Sequence, residues 1–250
     1  MNRVTGMLLV ALSAGTSSAC ADLVFLTASR DATIYEAFDG SLANGAGRYL
    51  FAGKNNQNRA RRGLIHFDIA GALPADAIIT SARLTMNLSQ GAGAASTVSL
   101  HRALANWTTG SSNPDDPEGS GTLAGAGDAT WLFSSADGAG GGTAWTTAGG
   151  DFIATASASR LTSTVGLYNW SSEQLAADAQ AFLTAPEANF GWFILGDESA
   201  IGNARRFDSA DSATLGGIAP LLVIEFTTVP APGAIAILGL ALRAPRRRTR

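Results

Sequence analysis

Few residues in this chain are suited to nucleophilic or acid–base chemistry. There are two histidines, His66 and His101, one lysine, Lys54, and one cysteine, Cys20. No G-x-S-x-G elbow is present, so a Ser-His-Asp hydrolase fails on inventory. His66 has Asp68 two residues on, and alternation along "LIHFDI" puts both opposite Ile65 and Phe67. The pair reads as a polar outer face, and His101, in an alternating strand beside Arg102, reads as a surface residue. Twenty Asp and Glu make a glycosidase-like carboxylate pair available by chance, but no sequence feature singles one out.

Metal chemistry is narrowed in the same way. Neither H-e-x-x-H spacing nor a Cys/His cluster occurs, which argues against zinc. Calcium takes carboxylates and loop carbonyls, and the glycine-rich loops offer Asp115, Asp116, Glu118, Asp128 and Asp151. None follows EF-hand spacing. The five are candidate ligands of a structural calcium that would clip the loops together, with solvated loop charge as the alternative.

Saccharide binding needs flat apolar faces beside hydrogen-bonding groups. Of five tryptophans, Trp192 inside "GWFIL" reads as core, and Trp170 as a staple ahead of a helix. Trp107, Trp131 and Trp145 adjoin the long polar loops, where an exposed ring could stack on a sugar. Trp145, between "GGGTA" and "TTAGG", is the best single candidate. The run "NNQNRARR", Asn55 to Arg62, adds Asn58, Arg59, Arg61 and Arg62 as groups able to grip hydroxyls and uronic carboxylates. Packing of the tryptophans under the loops, and arginines neutralising nearby acids, are the plainer readings.

The elements that must hold these groups read as β-strands. Alternation or short apolar runs mark "ATIYEA", "LIHFDI", "ARLTMNL", "TVSLHRAL", "GWFILGD" and "LLVIEF", at the spacing of a sandwich. One helix interrupts them. "SSEQLAADAQAFL" sets Leu175, Ala179, Phe182 and Leu183 on one stripe, with Ser171 and Gln174 as a capping box and Pro186 as a stop. Long Gly/Asp-rich loops lie between the strands, of the kind that are functional or disordered. The expectation is an all-β, jelly-roll-like antiparallel β-sandwich with one short helix.

The ends carry a different kind of signal. Arg3, the apolar "MLLVALSAG" and the small-residue "ACA" form a secretory signal peptide over 1–21, cleaved after Ala21. The last 22 residues, "VPAPGAIAILGLALRAPRRRTR", combine prolines, a short apolar run and arginines. Removing both ends leaves a domain, 22–228, of a size suited to one core. Six of the 17 basic residues lie in the ends and all 20 acids lie in the domain, which therefore carries a charge of −9. Such a domain repels nucleic acid. With Cys20 in the signal region, the mature protein has no disulfide.

The C-terminal tail resembles the PEP-CTERM sorting signal. Pro230, Ala231 and Pro232 stand where that signal has Pro-Glu-Pro, followed by the apolar run and "RAPRRRTR". The resemblance implies export, transient inner-membrane anchoring, an exosortase-like protease as partner, and release to the cell surface. The domain resembles the DNRLRE type, related to carbohydrate-binding module family 96. The carriers are "DATIYEA", "RRGLIHFDIAGALPADAIITSARLTMNL", "LHRALANWTTG", "GDATWLF", "WTTAGGDF", "NFGWFILGDES" and "ARRFDSADSA…APLLVIEF", in order over most of the domain. The eponymous run is degenerate here, as "DSADSA" with Ser209 and Asp211. The resemblance implies a jelly-roll-like β-sandwich of secreted proteins, often bound to polysaccharide, and with the poor catalytic inventory the expectation is a non-catalytic protein that binds extracellular polysaccharide. A matrix protein without saccharide specificity, and a polysaccharide lyase or hydrolase, remain the alternatives.

Overall fold

A computed structural model describes residues 21–228 apart from Ala92. The expected signal peptide, except its last residue, and the expected sorting tail lie outside the described residues. Among the described residues fifteen strands and one α-helix follow one another. The first seven strands are β1 (Ala21–Thr27), β2 (Arg30–Tyr35), β3 (Leu42–Asn44), β4 (Tyr49–Lys54), β5 (Ala60–His66), β6 (Ile78–Gly91) and β7 (Ser96–Arg102). A loop-rich stretch carries β8 (Thr122–Leu123), β9 (Phe133–Ala136) and β10 (Gly142–Ala144). Then come β11 (Ala158–Thr162), β12 (Gly166–Ser171), α1 (Glu173–Thr184), β13 (Trp192–Gly196), β14 (Arg205–Asp208) and β15 (Leu221–Thr227).

All named pairings are antiparallel, and two layers form an all-β sandwich, as expected. One layer runs β1-β15-β6, with β14 and β4 continuing beside β6 and β12 on its other side. The second runs β8-β3-β2-β5-β13-β7-β11. Strand β4 joins them: Tyr49–Ala52 pair with β14, while Gly53 and Lys54 pair with β5. Serving both layers, it is buried at four successive positions from Leu50 to Gly53.

The main core lies between the layers and is capped by the helix. Ile65, Phe67, Leu84, Met86, Leu88, Trp170, Phe182, Trp192 and Phe207 pack together there. The helix turns Leu175, Ala179, Phe182 and Leu183 inward, the stripe its sequence shows. Its cap is Ser172, whose hydroxyl accepts the Leu175 amide at 2.9 Å, and not Ser171. Ser171 is already committed to β12, opposite Arg83. Trp170 is likewise a strand residue of the core, donating its indole N–H to the Val98 carbonyl at 2.8 Å. No helix among the described residues is long and apolar enough to cross a membrane.

Candidate functional site

The tryptophans proposed for stacking sort themselves first. Trp107 is 0 % and Trp145 is 5 % exposed, both inside a second core cluster with Ile34, Leu64 and Phe193. Trp145 donates to the Thr130 carbonyl at 2.9 Å and meets Phe193 edge-on at 5.6 Å. Trp107 donates to the Phe190 carbonyl at 2.8 Å, and the Arg30 guanidinium covers its ring at 4.6 Å. Neither ring can present a face to a sugar, because the adjoining loops fold over them. Trp131 alone of the three is half-exposed, and Arg62 lies over its ring at 4.6 Å.

The run Asn55–Arg62 does not form one patch. Side chains alternate along β5, so Arg61 and Arg62 leave from opposite faces. Arg62 forks onto both oxygens of Glu198 at 2.7 Å and donates to the Gly149 carbonyl at 2.7 Å. Gly149, at φ +89, presses so close to Arg62 and Trp131 that any side chain there would collide with them. Arg62 is therefore neutralised and built into the fold. Arg61 is buried and donates to the carbonyls of Gly119 and, at 3.4 Å, Arg59. Burial lowers its pKa, yet a guanidinium stays charged in a protein, and its hydrogen bonds go to carbonyls and not to a carboxylate.

The proposed calcium ligands also part company. Glu118, 3 % exposed, accepts the backbone amides of Arg48 at 2.9 Å and Tyr49 at 3.0 Å, and the Asn44 side-chain amide at 3.1 Å. Buried Asp128 accepts the amides of Ser112 and Gly125. Asp151 accepts those of Thr146 and Thr147. Asp115 and Asp116 remain exposed. Glu118, Asp128 and Asp151 pin loops by taking backbone N–H groups, each in its own place. Among the described residues no three His, Cys, Asp or Glu side chains gather as a metal site.

What the fold does assemble is a pair of clefts on either side of the β4–β5 turn. The turn is tied internally: the Asn55 side chain accepts the amides of Gln57 and Arg59, and Asn58 takes the left-handed conformation at φ 59. One cleft, of about 220 Å³, is walled by Lys54, Asn56, Gln90 and Arg206 around buried Phe51 and exposed Pro117. The other, of about 240 Å³, takes in Tyr35, Glu36, Gln57 and Arg59. Asn55 and Arg61 line both.

The polar groups of these clefts are largely uncommitted. Neither the Lys54 ammonium nor the Arg59 guanidinium has a hydrogen bond or ion pair among the described residues, and the same holds for the side-chain amides of Asn56, Gln57 and Gln90. Arg206 uses only Nε, on Ser89 Oγ at 3.3 Å, while its guanidinium stacks on Tyr49 at 3.9 Å. Glu36 is the one carboxylate lining either cleft, and it accepts the Ala60 amide at 2.7 Å. Chemically, this is a surface of free N–H donors and positive charge over an apolar floor. Gln90 and Arg206 escape a linear reading because they arrive from distant strands, β6 and β14.

Each histidine stands beside a serine hydroxyl: Ser99 Oγ lies 2.9 Å from His101 Nε2, and Ser29 is the neighbour of His66. Ser29 Oγ lies 2.6 Å from His66 Nδ1 and donates to the His66 carbonyl at 3.1 Å. Burial, then Arg30, lowers the His66 pKa to about 4. His101 is buried, contrary to its surface reading, because Phe152 covers it at 5.5 Å and the Ile153 carbonyl takes Nδ1 at 2.9 Å.

The chain matches no protein-family model and no curated protein.

Proposed function

We infer that this is an exported, non-catalytic protein that binds acidic extracellular polysaccharide in the twin clefts beside the β4–β5 turn. The observation that carries the reading is a set of cations without a carboxylate partner among the described residues, Lys54, Arg59 and Arg206, with three free side-chain amides, on a domain whose charge is −9. Cations concentrated where the surrounding field is negative favour a ligand that brings its own carboxylates. The amides suit its hydroxyls, and Phe51 and Pro117 its C–H faces. The DNRLRE and PEP-CTERM resemblances support the same reading, placing the protein at the cell surface after transient inner-membrane anchoring and processing by an exosortase-like protease.

A second reading, a matrix protein without saccharide specificity, is favoured by one observation: four of the five tryptophans are buried. The polar concavity at the turn weighs against it. Affinity electrophoresis of the full chain in gels containing polygalacturonate or a neutral glucan separates the two. Retardation only by the polyuronate, lost in Lys54→Ser/Arg206→Ser, supports binding. Equal mobility in every gel supports the matrix reading.

A further inference from the structure

Phe38 is 96 % exposed, and Leu123 beside the same turn region is 77 % exposed. An isolated apolar side chain on a surface needs no explanation. Phe38 differs in how firmly it is presented and in what flanks it. Its turn, between β2 and β3, is tied by three hydrogen bonds around it. Gly40 N–H donates to the Ala37 carbonyl at 3.1 Å, the Ser41 amide donates to Asp39 at 3.1 Å, and the Ala124 amide donates to the Ser41 carbonyl at 2.9 Å. Gly40, at φ +63, sits so tightly on Leu132 that a side chain there would overlap it. The turn is thus a fixed ridge that carries an aromatic ring in solvent.

On one side of that ridge Glu36 and Leu42 wall the Arg59 cleft described above. On the other, Asp39, Gly40, Ser41, Leu123 and Ala124 wall a third cleft of about 370 Å³. Leu42 and Leu123 are cross-strand partners, so the apolar surface is continuous from one cleft to the next. We propose that Phe38 is an aromatic platform for the same acidic polysaccharide, stacking a sugar ring of a chain that runs from the Arg59–Arg61 cleft over the ridge into the Leu123 cleft. A glycan is the occupant because the platform adjoins the free Arg59 guanidinium and Gln57 amide of one cleft, while the Leu123 cleft, lined by no cation and by Asp39, offers apolar and hydroxyl contacts. A pyranose ring offers one apolar face for Phe38 and keeps its hydroxyls and carboxylate for the clefts.

The inference rests on the proposed binding of acidic glycan, and its test separates the two. Dissociation constants of the full chain are measured for the trimer and the octamer of galacturonate, for wild type, Phe38→Ala, Phe38→Trp and Lys54→Ser. The expected result is that Phe38→Ala weakens the octamer about three- to tenfold, as loss of one stacking contact should. The trimer should be unaffected, and Phe38→Trp should restore octamer binding. Unchanged octamer binding in Phe38→Ala, with Lys54→Ser weakening both oligomers, would overturn the platform and leave the clefts standing. Equal weakening of trimer and octamer would overturn the path over the ridge. No binding of either oligomer by wild type would overturn both readings. Sedimentation of the same proteins adds a further arm: conversion of a dimer to a monomer by Phe38→Ala would assign the ring to self-association and overturn the proposal.

Discussion

Asp31 and His66 show how burial, before any neighbouring charge, sets the behaviour of single residues here. Asp31 is buried beside the Ala210 amide, and burial, then the nearby Asp211, raises its pKa from 3.8 to about 7. It holds its proton more tightly folded than unfolded, so its stabilisation is complete below about pH 4 and is lost as pH rises toward 7. His66 is the reverse case: lowered from 6.5 to about 4, its stabilisation is present above pH 6.5 and is lost as pH falls toward 4. Between pH 4 and 6.5 the two slopes oppose. Denaturant unfolding across that window should be nearly level for wild type, should rise with pH in Asp31→Asn, and should fall with pH in His66→Gln. Identical profiles for the three proteins would refute this balance. At this scale the sequence is least legible. Glu118 and Asp128 look like metal ligands, and Arg62 like a ligand-binding fork, because a sequence shows charge but not the amides and the Glu198 carboxylate that already satisfy it.

Elements were legible where one face is wet and one is dry. The alternation in "ARLTMNL" and "TVSLHRAL" locates β6 and β7, and the helical stripe locates α1. Strand β4 hides because it serves both layers and loses its alternation. Strand β14 opens on a buried Arg205, which masks its inward face. Strand β1 starts at the last residue of the expected signal peptide and is absent from the strands read in the sequence. The helix cap is missed by one residue, since strand pairing of Ser171 outranks its capping tendency. Ser172→Ala should therefore cost about 1 kcal/mol in chemical denaturation, whereas Ser171→Ala should cost little. The opposite order would put the helix start back at Ser171.

For the whole molecule, two features combine: a negative domain and a positive, donor-rich concavity that exists only once β4, β5, β6 and β14 have come together. Composition revealed the first and part of the second, in Arg59 and the turn amides; the partners Gln90 and Arg206 needed the sheet. The ends of the domain also meet, since Ala21 pairs with Thr227 across β1 and β15. Loop carboxylates satisfied by amides leave little for a metal to stabilise, so EDTA should not lower the melting temperature, and a fall of several degrees would reinstate a structural cation. The central claim, recognition of carboxylate-bearing glycan by the turn clefts, is tested most directly by titrating the full chain with polygalacturonate and with its methyl ester, in which the same backbone has lost its charge. The account predicts binding to the acid form that weakens at least about tenfold, roughly 1.4 kcal/mol, on esterification and declines with added salt. Equal affinity for the two polymers, or binding to neither, would contradict it.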